Sequence, residues 1–208
     1  MTVLGERART VQAGYDALAP RFAEWTARVE GDPWARFLDE VARRLDGKGR
    51  VLDLGCGAGR VAQYLGDRFE VVGVDVSEEQ LRLARASAPA ATFVHGDFAQ
   101  LDFSAGSFDA VTALYSIIHV ARDEHARLFG RIARWLRLGG VFLASLAHVG
   151  GPDRTEPWLG VDMFFSGFDA ETNRRLVREA GLELLVADVV FMREPEAEVG
   201  FLWVLARA

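Results

Sequence analysis

Two stretches near the N-terminus repeat apolar residues every three or four positions, which is the period of an amphipathic helix. The first stretch carries on one face Tyr15, Leu18, Phe22 and Trp25. The second starts at Asp32 and Pro33, a helix cap followed by a residue suited to the first turn, and stops at Gly47. We therefore predict that residues 5–46 are mainly helical and that residues 1–47 form an N-terminal helical cap.

From residue 50 onwards, short apolar runs of strand length alternate with helical patterns. The predicted strands are Arg50–Leu54, Glu70–Val74, Thr92–His95, Phe108–Leu114, Val141–Ala147, Glu183–Val190 and Phe201–Arg207. The predicted helices between them are Ala58–Gly66, Glu78–Ser87, Asp123–Leu136 and Ala170–Ala180. Because only residues 191–200 join the last two strands, too few for a helical crossover, these strands form a hairpin. This pattern predicts an α/β fold, a doubly wound and mainly parallel seven-stranded sheet with helices on both faces and an antiparallel last strand.

The length of 208 residues fits a single domain with its own core. After the helical cap we place a sheet core (48–147), a loop (148–168) and a C-terminal helix with hairpin (169–208). The loop mixes aromatic residues with glycine and proline, and long loops between elements are often functional. We expect it to cover a flat, partly apolar small molecule, and leave open that its rings close the edge of the core instead.

Composition narrows the setting. The formal net charge of −6 does not favour nucleic acid as a partner, because its binders usually present a basic face. No run of about 18 apolar residues occurs and Met1–Thr10 has no apolar stretch, so we expect neither a membrane span nor a secretory signal. The one cysteine, Cys56, leaves no internal disulfide and favours the cytoplasm. Lys48 is the only lysine among many arginines, which suggests a GC-rich bacterial genome.

The segment Val51–Arg60 reads V-L-D-L-G-C-G-A-G-R, an apolar strand that runs through three glycines into a helix. Glycines at such a turn let a ligand approach the backbone, and the first N–H groups of the helix point at it. The dinucleotide fingerprint needs G-x-G-x-x-G, whereas here Arg60 follows G-x-G-x-G. Asp53 would also repel a pyrophosphate and attract an ammonium group. The pattern therefore predicts a positively charged ligand without phosphate.

This segment resembles the first signature of the class I, Rossmann-like, S-adenosylmethionine-dependent methyltransferases, and the resemblance covers roughly residues 45–147. It implies S-adenosylmethionine as cofactor and S-adenosylhomocysteine as product, with the sheet core as the cofactor-binding part. The glycine loop would contact methionine and ribose through Asp53, Gly55, Gly57 and Gly59. The resemblance further implies cofactor contacts from Tyr15 on the first helix, Asp75 and Val76 at the ribose, Asp97 and Phe98 at the adenine, and Leu114 at the methyl-transfer face.

His119 lies five residues past Leu114, at the expected mouth of the site, and a histidine suits a base for a hydroxyl or carboxylic acid acceptor. The alternative is a histidine that only packs or caps. The candidate acceptor-binding residues are Tyr115, His148, Trp158 and Phe164. His125, among arginines on a predicted helix, is expected at the surface, and Asp109 is expected to be structural, away from the ligand.

Two departures from related patterns narrow the chemistry. The [D/N]-P-P-Y tetrad of enzymes that methylate amino groups of bases or glutamine is absent after the fourth strand, where residues 114–117 read L-Y-S-I. The paired acid and amide ligands of magnesium-dependent enzymes are also missing, so we expect no metal.

The sequence thus predicts a methyltransferase for a small-molecule acceptor, with oxygen favoured over nitrogen. The alternatives are a protein or nucleic-acid methyltransferase, a non-catalytic regulatory module that binds the cofactor, and a nicotinamide-dependent dehydrogenase, which the glycine spacing opposes. A homodimer is left open.

Overall fold

The computed structural model describes residues 4–208, so residues 1–3 of the predicted N-terminal cap lie outside the described part. In chain order the helices are α1 (Glu6–Thr26), α2 (Trp34–Arg44), α3 (Arg60–Leu65), α4 (Glu78–Ser87), α5 (Arg122–Trp135) and α6 (Ala170–Glu179). The strands are β1 (Arg50–Leu54), β2 (Glu70–Asp75), β3 (Thr92–His95), β4 (Phe108–Ala113), β5 (Leu136–Ala147), β6 (Gly151–Trp158), β7 (Val161–Gly167), β8 (Glu183–Arg193) and β9 (Glu198–Arg207). None of the described helices is both long and apolar enough to cross a membrane.

Seven strands form one sheet in the order β3-β2-β1-β4-β5-β9-β8. The first five are parallel, and β9 runs antiparallel to both of its neighbours. The predicted fold class is therefore confirmed. The strand order reverses direction between β1 and β4, and in doubly wound sheets ligands bind beyond the carboxyl ends of the strands at such a point.

Helices cover both faces of the sheet. On one face α5 and α6 enclose Phe129, Trp135 and Phe142, each without exposed surface. On the other face α2 and α3 pack over β1 and β9, and the ring of Phe37 stacks on Trp203 at 4.6 Å between centroids. Side-chain caps fix two helix starts, because Ser77 accepts from the backbone N–H of Gln80 and Asp169 from that of Thr172.

The prediction of a loop over residues 148–168 was wrong. This segment forms an antiparallel hairpin, β6 and β7, that turns at Leu159 and Gly160, both with positive φ. Two prolines in β6 hid the strand from sequence reasoning, and prolines are tolerated there because β6 and β7 form a separate two-stranded sheet. The hairpin packs on α1, where buried Met163 lies so close to Gly14 that an added Cβ would approach its Cε to 2.6 Å.

The expectation that His125 lies at the surface was also wrong. Its side chain is buried on the inner face of α5 and contacts the rings of Phe129 and Phe168. Its Nε2 bonds the carbonyl of Val120 at 2.9 Å. Arg127, two positions further along α5, is exposed because neighbouring helix positions point in different directions, whereas Leu128 and Phe129 share the inward face of His125.

Candidate active site

The glycine loop follows β1 directly and turns through positive φ values at Gly55, Gly57 and Gly59. A Cβ on Gly55 would lie 2.3 Å from that of Ser116, so only glycine fits at this point. The backbone N–H of Gly57 donates to Asp75 Oδ2 at 2.8 Å, which joins the loop to the end of β2. Gly59 begins α3 and packs against Ala84 of α4.

A cavity of about 550 Å³ opens above this loop. Its walls include most of the residues that the sequence proposed for the cofactor: Tyr15, Asp53, Gly55, Gly57, Asp75, Val76, Asp97, Phe98 and Leu114. Gly59 does not line the cavity. Its lack of a side chain allows α3 to approach Ala84 of α4 closely, so it has a packing role rather than a ligand contact.

Three carboxylates lie in the walls of this cavity, and all are buried. Asp53 accepts from the Thr112 hydroxyl at 2.7 Å, and burial raises the pKa of Asp53 to about 7. Burial also raises the pKa of Asp75, although the backbone N–H groups of Gly57 and Ser77 donate to its carboxylate and oppose the shift. Such a cavity suits a ligand with cationic and hydroxyl groups and disfavours one with phosphates.

Sequence reasoning missed Arg7, which forms an ion pair with the third carboxylate, Asp97. Its guanidinium pairs with Asp97 Oδ2 and donates to the carbonyl of His119 at 2.9 Å. Arg7 lies on α1 eight residues before Tyr15, on the same face of the helix, so helical spacing could have indicated it. The first turns of α1 are thereby held to the ends of the sheet strands.

His119 and Tyr15 form a hydrogen-bonded pair at the other end of the cavity. The His119 Nδ1 lies 2.7 Å from the carbonyl of Phe164, which can only accept, so Nδ1 carries the proton. The Nε2 is then the acceptor for the Tyr15 hydroxyl at 2.9 Å. Burial lowers the pKa of His119 to about 4 and raises that of Tyr15, so both are neutral near pH 7.

A second cavity of about 520 Å³ adjoins the first. The residues shared by the two walls are Tyr15, Phe22, Thr26, Arg60, Tyr115 and His119. The rest of its wall includes five aromatic side chains: Trp25, Trp158, Phe165, Phe191 and Phe201. Three of the predicted acceptor residues, Tyr115, His148 and Trp158, lie on this wall. Phe164 does not, and it acts on the site through its carbonyl.

Tyr115 holds a strained backbone where the cavities meet. Its φ of 57° is unusual for a bulky residue, and such strain is common at functional sites. Its N–H donates to Ser145 Oγ at 2.7 Å and its hydroxyl to Asp32 at 2.6 Å. The same Asp32 binds Arg60 at 3.3 Å. Both Asp32 and Arg60 were missed as site residues, because the contact joins segments far apart in sequence.

Among residues 4–208, no group of three or more histidine, cysteine or acidic side chains is arranged to hold a metal ion. The other histidine of the second cavity, His148, packs its ring on Phe191 at 5.5 Å between centroids. Asp109 lies away from both cavities, where it accepts from the N–H of Arg50 and pairs with Arg137.

Two features together are typical of the class I architecture of S-adenosylmethionine-dependent enzymes. One is a Rossmann-like sheet with an antiparallel β9, and the other is a buried acid at the end of β2 beside a G-x-G-x-G loop. Residues 51–140 match the family described as a methyltransferase domain. An uncharacterized methyltransferase of Synechocystis sp. is 31% identical over 62% of this chain and 60% of its own length. Residues 51–140 are therefore similar to a methyltransferase domain, and the fold is that of the class I S-adenosylmethionine-dependent methyltransferases, for which this similarity implies S-adenosylmethionine as the cofactor.

Two solved structures share the fold. The 1,6-didemethyltoxoflavin-N1-methyltransferase of Burkholderia thailandensis, with bound 1,6-didemethyltoxoflavin and S-adenosylhomocysteine, aligns over 100% of this chain and 92% of its own, with a TM-score of 0.71 and 24% identity. The [4+2]-cyclase SpnF aligns over 91% of this chain and 78% of its own, with a TM-score of 0.69 and 23% identity. The chain spans between 30% and 60% of the length of three curated relatives that it matches.

Proposed function

We propose that this protein transfers the methyl group of S-adenosylmethionine to a small-molecule acceptor, with oxygen favoured over nitrogen as the acceptor atom. The observation that carries the proposal is the junction of the two cavities at Tyr15 and His119. One cavity has the acids that a sulfonium amino acid needs, and the other has the aromatic walls that suit a flat organic molecule.

The residues of the first cavity support a placement for each part of the cofactor. Asp53 would hold the ammonium group, Asp75 the ribose hydroxyls, and Asp97 with Phe98 the adenine. The cofactor supplies an activated methyl group on sulfur, which is displaced in line. The protein therefore has to position the acceptor and exclude water, and α1 does both by closing over the two cavities.

His119 is the proposed proton acceptor. With Nδ1–H fixed on Phe164, the Nε2 lone pair can take the acceptor's proton directly or through the Tyr15 hydroxyl. A base whose pKa lies near 4 is weak, so it is matched to an acceptor oxygen that loses its proton readily. Acidic phenols and enols meet this requirement, whereas a carboxylic acid is already ionised near pH 7 and would accept the methyl group without a base.

A second candidate is an amine acceptor, and the charges of the second cavity favour it. Both arginines on its wall are paired, Arg60 with Asp32 and Arg154 with Glu156. Within the described part of the chain, Glu194 and Glu198 on the same wall form no ion pair, and they would attract a protonated amine. A macromolecular acceptor and a non-catalytic binding module have no comparable observation in their favour. The single cysteine and the arginine-rich composition support a bacterial cytoplasmic setting.

The test is a methyl-transfer screen with S-adenosylmethionine and matched sets of aromatic carboxylic acids, phenols and amines. Mass spectrometry would detect both S-adenosylhomocysteine and the methylated product. We expect O-methyl products from acidic acceptors that retain an aromatic ring. Products from the amines alone would replace oxygen by nitrogen as the acceptor atom. Tight cofactor binding without turnover on any set would favour the binding module.

A further inference from the structure

Gln80 is a polar side chain in an apolar position. It lies in the first turn of α4 and is only 2% exposed, whereas glutamine is mostly found at protein surfaces. The other buried residues of this helix are Leu81 and Ala84. Its backbone is fixed, because its N–H donates to Ser77 Oγ, which itself donates to Asp16 at 2.6 Å. The position of the side chain is therefore set by the helix cap.

The side-chain nitrogen of Gln80 is buried, and nothing in residues 4–208 accepts its hydrogens. A buried donor without a partner lowers the stability of the folded protein, so its presence requires a compensating role. Gln80 also lines the cofactor cavity. An unused donor in the wall of a binding cavity can be satisfied by the ligand.

The surroundings of Gln80 indicate which part of the ligand this is. A Cβ built on Gly57 would lie 3.8 Å from Gln80 Oε1, so the amide lies beside the glycine loop. Gly57 in turn donates to Asp75 Oδ2. The amide and the carboxylate thus face the same part of the cavity, where a hydroxyl group could donate to Asp75 and accept from Gln80.

We propose that Gln80 is a cofactor-binding residue, whose amide donates to a ribose hydroxyl that donates in turn to Asp75. This proposal rests on the placement of the ribose at Asp75 under the proposed function. The two residues complement each other, because a carboxylate only accepts hydrogen bonds and an amide nitrogen only donates them. A hydroxyl between them is satisfied on both sides, which fixes the sugar relative to the glycine loop.

The experiment is calorimetric titration with S-adenosylhomocysteine and its 2′-deoxy and 3′-deoxy analogues. Gln80→Met keeps the length and the helix propensity and removes the donor. We expect about three- to tenfold weaker binding of S-adenosylhomocysteine. For the analogue that lacks the contacted hydroxyl, the wild type and the Gln80→Met variant should bind with equal affinity. The melting temperature of the unliganded variant should stay equal or rise, because the unsatisfied donor is gone. Gln100→Met is the matched control, since this exposed glutamine lines neither cavity and donates to Glu124 at 2.6 Å.

Binding within twofold of the wild type, or an equal loss for all three ligands, would reduce Gln80 to a packing residue. Gln80→Leu repeats the test if the methionine variant folds poorly. Asp75→Asn separates the two levels of the proposal. If this variant binds S-adenosylhomocysteine like the wild type, the ribose placement itself fails. If its binding weakens while Gln80→Met does not, only the role of Gln80 fails.

Discussion

The two cavities that meet at Tyr15 and His119 are built from different groups. The cofactor side consists of strand ends and the glycine loop, with the buried carboxylates Asp53, Asp75 and Asp97 held by hydrogen bonds. The proposed acceptor side carries several aromatic rings, and Trp158 contacts Tyr15, Trp25 and Phe165 edge to face. Fixed charges recognise one ligand, whereas packed rings can adjust to different shapes. The two sides therefore suit ligands of different chemistry, one with charged and hydroxyl groups and one with a flat apolar surface.

The acceptor side is also assembled from more distant parts of the sequence. Helix α1 contributes to both walls and is held from outside by the β6–β7 hairpin. Arg21 of α1 donates to the carbonyl of Leu159 at 3.1 Å, and Trp25 to Glu196 of the β8–β9 turn at the same distance. The rings that α1 and the hairpin contribute thus meet where these two elements pack together, whereas Asp53 and Asp75 lie on strands of the central sheet.

The largest effect is expected where the two sides meet. His119→Ala removes the proposed proton acceptor and should lower the turnover number at saturating cofactor about 100-fold. Affinity for S-adenosylhomocysteine should change less than twofold. Because the His119 pKa is lowered, the wild type should keep its turnover as the pH falls to about 5, and lose it only towards pH 4. His125→Gln, at a buried histidine outside both cavities, is the control, and an equal loss there would make His119 a packing residue.

The next effect belongs to the cofactor side alone. Asp75→Ala removes the carboxylate that we propose binds the ribose, and it should weaken binding of S-adenosylmethionine at least tenfold, since a hydrogen bond to a charged group contributes about 1.5–3 kcal/mol. Calorimetry measures it, with exposed Asp67→Ala as the control. Unchanged affinity would remove Asp75 from the site.

A pH dependence separates the ammonium end from the rest of the cofactor. Asp53 has a raised pKa of about 7, so it is mainly protonated below and ionised above that pH. Only the ionised form attracts an ammonium group, so affinity for S-adenosylmethionine should rise about tenfold from pH 6 to pH 8. Affinity for methylthioadenosine, which lacks that group, should not change between pH 6 and pH 8. The affinity of the Asp53→Asn variant for both ligands should be equally independent of pH. Parallel curves for the two ligands would contradict the placement.

The smallest effect is expected on the acceptor wall. Trp158→Ala removes a ring that packs against Tyr15 and Trp25, and should raise the KM for the acceptor found in the screen about fivefold. Affinity for the cofactor should not change. Leu138→Ala, at a fully exposed site, is the control. If Trp158→Ala weakened the cofactor as much as the acceptor, the two sides would not be separate.

Local patterns predicted the cofactor side well. Alternating apolar runs located the strands that carry Asp53 and Asp75, because each strand needs only its own period to be recognised. The glycine spacing located the loop, since the backbone there requires positive φ. These features depend on a few consecutive residues, so the sequence displays them directly.

Other features depended on contacts across the fold. Gln80 became visible as a wall residue only once α4 was seen to face the same cavity as α1. The hairpin over residues 151–167 was hidden by its prolines, and the burial of His125 by the arginines around it. In each case a tertiary contact overrode the local signal.

Calorimetric titration with S-adenosylmethionine and with NADH tests the assignment of the first cavity most directly, in the wild type and in Asp75→Ala. The arrangement of three buried acids around the glycine loop predicts binding of S-adenosylmethionine in the micromolar range, at least tenfold weaker binding by the variant, and no heat from NADH. Binding of NADH alone, or equal binding of S-adenosylmethionine by both proteins, would contradict it.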